Sequence, residues 1–154
     1  MGADPAKIPK REDWIALLTT DMSKPIQDRQ FYYVVWEVDG VPIGHSNINN
    51  IVFGKSATMH LHMWQKDLRK RGMGRMLVQR SIPYYFEKFE LQVLICEPYA
   101  LNPAPNKTLP KVGFQFIRQY ETTPGWINFH QPVNRYEMTQ QAFRGVVKTG
   151  PSKL

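Results

Sequence analysis

The sequence predicts a mixed α+β fold, and three observations predict it. Apolar and polar residues alternate from Ser56 to Trp64, the period of a half-buried strand. Val78, Ile82, Tyr85 and Phe89 recur soon afterwards at helical spacing. Stretches rich in aromatic and β-branched residues lie on either side, separated by turn signals such as Asp39-Gly40 and Pro124-Gly125.

In chain order, Arg11–Thr19 reads as a short helix with Trp14, Leu17 and Leu18 on one side, and residues 20–30 as a polar loop around Pro25. Phe31–Val38 is a strand, Asp39-Gly40 a tight hairpin turn, and Val41 to about Ile51 the return strand. In Ser56–Trp64, Ala57, Met59, Leu61 and Met63 share one face, and Thr58, His60, His62 and Trp64 share the other. A helix opens near Gly72 and runs to about Phe89. Pro83 removes the hydrogen bond to the Gln79 carbonyl and predicts a kink. Tyr84, Tyr85 and Phe86 are assigned to the core of this helix. Leu91–Cys96 is a short strand. Asn102–Pro110, with three prolines, allows at most a broken helical turn. Phe114–Tyr120 is a strand, and Trp126–Met138 is a last extended stretch interrupted at Pro132.

The 154 residues are read as one domain, 1–154, with loose termini at 1–10 and 142–154. A hydrophobic fraction of 42% with 21% charged residues is globular composition and argues against disorder. No apolar run approaches the ~20 residues that span a bilayer, and Met1–Lys10 lacks the apolar centre of a secretory signal. The expectation is a cytoplasmic protein with no membrane partner. Cys96 is the only cysteine, which excludes an internal disulfide and argues against a thiolate metal site.

The net charge of +7 suits a polyanionic partner: nucleic acid, a membrane surface or a phosphorylated cofactor. Its distribution decides between them. Lys66, Arg69, Lys70, Arg71 and Arg75 crowd one short window opposed only by Asp67. Within it, Arg69-Lys70-Arg71-Gly72-Met73-Gly74 joins a strand to a helix. A helix N-terminus presents unpaired N–H groups and the positive end of the macrodipole. Glycines let an anion approach the backbone, and arginines add charge-assisted bonds to phosphate. The segment is therefore an anion cradle. It is not a P-loop, because Gly74 is followed by Arg75-Met76, and not a dinucleotide fingerprint, because position 77 is Leu. A nucleic-acid surface would need basic residues spread over a face or aromatics placed for stacking, so nucleic acid is disfavoured as a partner.

This segment resembles the GNAT acyltransferase superfamily, whose signature is Arg/Gln-x-x-Gly-x-Gly/Ala between its fourth strand and third helix; Arg69, Gly72 and Gly74 match. A second block, Asn102 followed by Lys111-Val112-Gly113-Phe114, is similar to the subgroup that includes the ribosomal-protein N-terminal acetyltransferases. The resemblance covers roughly residues 31–140. The family's first strand and first two helices are barely represented before Phe31. It implies a curved, mostly antiparallel sheet flanked by helices, with the fourth and fifth strands (Ser56–Trp64 and Leu91–Cys96 here) splayed in a V. It also implies an enzyme that moves an acetyl or other acyl group from acetyl-CoA to a primary amine, with no metal. The cofactor would be bound by the backbone of His62, Met63 and Trp64, by Arg69, Lys70, Arg71, Gly72, Met73, Gly74 and Arg75, and by Asn102. The family's usual tyrosine acid is replaced by Leu109.

His60 and His62 share a strand face, and imidazole titrates near neutrality, so each is a candidate general base. They also read as two packed polar residues. Glu97, at the end of the fifth strand, is a third catalytic candidate or a solvated carboxylate. Neither His45 nor His130 completes a metal site by spacing. Cys96 reads as buried and apolar. Trp126, Asn128 and His130 alternate along an expected strand and are candidates for the acceptor pocket. Two other classes stay open: a non-catalytic CoA-binding module, supported by Leu109, and a basic nucleic-acid-binding domain. The amine (protein N-terminus, polyamine, antibiotic or small metabolite) and a homodimer are also left open.

Overall fold

A computed structural model describes residues 3–65 and 72–149. The elements in chain order are α1 (Arg11–Met22), β1 (Tyr32–Val38), β2 (Val41–Val52), β3 (Ser56–Met63), α2 (Met73–Phe89), β4 (Val93–Cys96), α3 (Pro103–Lys111), β5 (Gln115–Thr122), β6 (Gln131–Thr139) and α4 (Gln140–Thr149). The six strands form one open sheet in the order β1-β2-β3-β4-β6-β5. Every neighbouring pair is antiparallel except β3 and β4. A parallel pair needs a crossover, and α2 supplies it.

The β1–β2 connection is a two-residue loop with Asp39 at φ 50° and Gly40 at φ 77°. These left-handed values match the twist of the flanking strands. α2 runs through Pro83 as one helix. Val78, Ile82, Tyr85, Phe86 and Phe89 are buried, whereas Tyr84 is 48% exposed and so falls outside the core it was expected to join. The polar atoms on this face are paired. Tyr85 donates from its hydroxyl to Ser46 Oγ at 2.7 Å, and Trp36 Nε1 donates to Ser81 Oγ at 2.9 Å. An unpaired hydroxyl or indole N–H there would carry the cost of a buried orphan.

Several expectations are corrected. α1 continues to Met22, inside the expected loop. The buried Asp21 carboxylate accepts from the N–H groups of Gln30 and Phe31 at 2.9 Å each, tying the helix end to β1. Asn102–Pro110 forms most of a true helix rather than a broken turn. Pro103 occupies the first turn, where its missing N–H costs nothing. Pro110 frees the Asn106 carbonyl, and the Tyr136 hydroxyl lies 3.5 Å from it while donating to Asn106 Oδ1 at 3.1 Å. The stretch before Gln131 is a turn rather than a strand, although β6 tolerates Pro132 near its start.

Both ends of the described chain make defined contacts. Ala3 bridges Asn128, and Asp4 N–H donates to the Ile127 carbonyl at 2.7 Å. Residues to Thr149 form α4, whose Phe143 stacks on Phe86 at 4.6 Å between centroids. Val146 sits so close to Gly113 (φ 106°) that a Cβ there would lie 2.9 Å from it. Among the described residues, no helix is long and apolar enough to cross a membrane.

Candidate functional site

The site follows from where two ladders part. β3 and β4 pair from Ser56↔Val93 to Met59↔Cys96 and then stop. Past that point β3 stays with β2 as far as Gly44↔Met63. The chain after β4 stays with β6 instead: Pro98 accepts from Asn134 N–H at 3.0 Å, and Tyr99 bridges Val133. Each arm keeps its outer neighbour and loses its inner one, which is the predicted V. The Trp64 N–H bonds the Ile43 carbonyl at 2.9 Å, so even-numbered residues of β3 face β2 with their backbone groups. By the alternation of an antiparallel ladder, Leu61 turns its N–H and C=O into the opening.

At the carboxyl ends of β3 and β4, α2 begins on Gly72, which has φ 71° and so favours glycine. Among the described residues, a Cβ built on Gly72 or Gly74 meets nothing within 4 Å. The Arg75 N–H already donates to the Gly72 carbonyl at 3.2 Å. Met73 opens the helix with no acidic side chain in its first turn. These residues fit a pyrophosphate group. Arg69, Lys70 and Arg71 lie outside the described residues.

On the face of the sheet opposite α2, His60 and Glu97 are the first outward-pointing residues past the last ladder pair, one on each arm of the V. His60 is partly buried, and its Nε2 lies 3.0 Å from Asn49 Oδ1. With that oxygen as acceptor, Nε2 carries the proton and Nδ1 keeps the lone pair a base needs. Burial, with His62 nearby, pushes the His60 pKa down to about 4, so the ring is neutral at physiological pH. His62 is exposed, and burial of part of its ring lowers its pKa. The expectation of an imidazole titrating near pH 6–7 is corrected for His60.

The sheet brings His45, weighed in the sequence only as a metal ligand, onto the face of His60 and His62. His45 is the register partner of His62, with ring centroids 4.8 Å apart, and its pKa is pushed down to about 4 by burial and by both other histidines. Among the described residues no group of three His, Cys, Asp or Glu could hold a metal ion, this trio included. Glu97 is not a free carboxylate. Its Oε1 accepts from Arg135 Nη1 at 2.9 Å and from the Tyr120 hydroxyl. Arg135 also reaches Glu137 at 2.7 Å. Burial, and then the bond to Glu97, raise the Tyr120 pKa. β6, which carries Arg135, becomes the neighbour of β4 only through strand order, so no local signal singles it out.

Asn102 has a structural use. Its Oδ1 caps α3 by accepting from Ala104 N–H at 3.3 Å. Asn106, unremarked in the sequence, is the better-connected amide: Nδ2 donates to the Asn102 carbonyl at 2.6 Å, and Oδ1 accepts from Asn134 Nδ2 at 2.8 Å. Leu109 is fully buried core and brings no hydroxyl. Cys96 is buried, which pushes its thiol up to about 12 and rules it out as a nucleophile. Trp126 packs by Trp14 at 6.2 Å, and His130 lies 3.9 Å from Glu121 on an exposed rim, so the expected strand of pocket residues does not form.

The open sheet parts between its two parallel strands beside the start of a glycine-led helix. The profile of the acetyltransferase (GNAT) domain matches residues 2–115, and the chain belongs to that family. No curated protein sequence matches it. The fold is shared with solved structures at low identity. One is spermidine/spermine N-acetyltransferase SpeG from Vibrio cholerae in complex with manganese ions, 18% identical, with 87% of this chain and 77% of that chain covered and a TM-score of 0.70. Another is the N-acetyltransferase PseH from Campylobacter jejuni in complex with acetyl coenzyme A, 19% identical, with 84% and 79% covered and a TM-score of 0.63.

Proposed function

We propose that this protein transfers an acetyl group from acetyl-CoA to a primary amine by direct attack, with His60 as the general base. One observation carries the reading: the β3–β4 ladder opens at Met59↔Cys96, with the neutral His60 on its lip and the Gly72–Gly74 helix start at its end. Acetyl-CoA supplies an activated thioester. The first-turn N–H groups of α2 and Arg75 bind its pyrophosphate, joined by Arg69, Lys70 and Arg71. The Leu61 backbone groups, turned into the opening, pair with a pantetheine amide, whereas His62 and Trp64 turn theirs to β2. His60 Nδ1 takes the proton that the acceptor nitrogen loses as its bond to the acyl carbon forms and the C–S bond breaks. A β3 N–H donates to the carbonyl oxygen as charge develops there. The subgroup of ribosomal-protein N-terminal acetyltransferases remains part of this proposal on the strength of the Lys111–Phe114 block, as does a cytoplasmic location.

Calorimetry with CoA and turnover of acetyl-CoA with free-thiol detection test the reading. Tight CoA binding together with acceptor-dependent thiol release is the expected result. CoA binding without turnover against a broad amine library would favour the second reading, a CoA-binding module, which the buried Leu109 supports by leaving the usual acid position without a hydroxyl.

A further inference from the structure

The V has to stay open to admit a ligand, and a side-chain amide on α3 braces its second arm. Past Cys96 the chain bends through residues 97–102 before it enters α3. Backbone bonds dock this bend on β6: Asn134 N–H donates to the Pro98 carbonyl at 3.0 Å, and Ala100 N–H donates to the Pro132 carbonyl at 2.9 Å. Three carbonyls of the bend converge on Asn106, whose Nδ2 lies 3.0 Å from that of Tyr99, 3.4 Å from that of Ala100 and 2.6 Å from that of Asn102. The other end of the same amide is anchored on β6. Asn106 Oδ1 accepts from Asn134 Nδ2 at 2.8 Å and from the Tyr136 hydroxyl at 3.1 Å. Tyr136 is the register partner of Cys96, the last residue of β4. Asn106 therefore joins α3, the bend and β6 at the level where β4 leaves β3.

The competing path for this arm is to continue beside β3. Leu61 turns its N–H and C=O into the opening, and a parallel neighbour would pair with such groups. A bend free to swing back would compete with a ligand for them, and apparent affinity falls with the fraction of molecules that are open. Carbonyls at a sheltered bend are costly without donors. An amide held on a helix offers two N–H groups at a fixed place, which favours the bent path. Asn102 does not serve in this way, because its Oδ1 caps α3.

We infer that Asn106 is a positioning residue for the pantetheine arm: by pinning the 99–102 bend to β6, it keeps the Leu61 edge of β3 free for the ligand. This rests on the acyl-CoA reading, and the test separates the two.

Dephospho-CoA and ADP share a nucleotide and differ in the pantetheine arm, so calorimetry with both isolates that arm. Wild-type protein should bind dephospho-CoA the more tightly. Asn106→Ala should weaken dephospho-CoA by about tenfold and leave ADP within about twofold. A structural role alone would lower both affinities together. Equal losses for the two ligands, or an unchanged affinity for dephospho-CoA, overturn the inference. Tyr136→Phe keeps the ring and removes the hydroxyl from Asn106 Oδ1, so it decides the matter where Asn106→Ala does not fold. A loss of about threefold for dephospho-CoA alone supports the pin, and no loss overturns it. An overturned pin with dephospho-CoA still bound by the wild type leaves the acyl-CoA reading standing. Wild-type protein that binds neither ligand removes that reading and the inference with it.

Discussion

The two faces of β3 carry different kinds of work, although they alternate along one eight-residue strand. Ala57 and Met59 are each about 1% exposed and pack under α2 with Tyr85 and Phe89, where hydroxyls are paired and water is excluded. Thr58, His60 and His62 point the other way, toward His45, Asn49 and the opening. The first face contributes stability through burial and packing; the second holds imidazoles whose protonated forms burial disfavours. A period of two residues keeps these roles apart, so substitutions on one face should leave the other's property nearly intact.

The largest effect should come from the packed face. Phe89→Ala should cost about 3–5 kcal/mol of stability in urea denaturation, because a fully buried ring leaves a cavity that β3 and α2 cannot close. A loss below ~1 kcal/mol would mean that this face is not the core.

Next is the chemical face. His60→Ala should lower the acyl-transfer rate by ~10²-fold or more at constant CoA affinity, while changing stability by less than ~1 kcal/mol. Unchanged turnover in the His60→Ala/His62→Ala double variant would take both rings out of the chemistry. Glu97 is then a poor substitute, being held by Arg135 and Tyr120.

The third prediction concerns the helix start. Gly74→Val enters open space at a helical position and should preserve the fold while weakening CoA by roughly tenfold or more. Gly72→Val is the less informative variant, because φ 71° strains any β-branched residue whether or not phosphate binds. Equal CoA affinity in wild type and Gly74→Val, measured by calorimetry, would move the phosphate site elsewhere.

The most diagnostic effect is in pH. His45 and His60 sit at about 4 when folded against an ordinary value near 6.5, so the unfolded chain binds more protons between those limits. Stability is therefore full above about pH 6.5 and falls as pH drops toward 4. Denaturation midpoints across that window should decline, and His45→Gln should flatten the decline. The acid limb of the rate profile should appear near pH 4–5 rather than 6–7 if His60 is the base. A limb that stays at 6–7 would point to a group other than His60.

The elements written in local pattern were legible in the sequence. The Asp39-Gly40 hairpin needs only two residues able to take positive φ, the β3 alternation needs only the pleat, and the α2 stripe needs only the helical repeat. The glycine pair at the helix start was equally local. α3 and α4 were misread because their signals conflict with propensity. Three prolines hid a helix that Asn102 caps and Tyr136 supports across the sheet. A basic tail became a helix because Phe143 and Val146 find Phe86 and Gly113. Sequence by itself determined the mixed fold, the glycine-led start of α2 and the shared face of His60 and His62, since each depends on neighbours within about one turn or one pleat. Only the tertiary structure decided that His45 joins them, that Arg135 silences Glu97 and that Asn106 rather than Asn102 is the connected amide. Those contacts join β2 to β3, β4 to β6 and α3 to β6, and strand order across a sheet is set by long-range burial that no local spacing encodes.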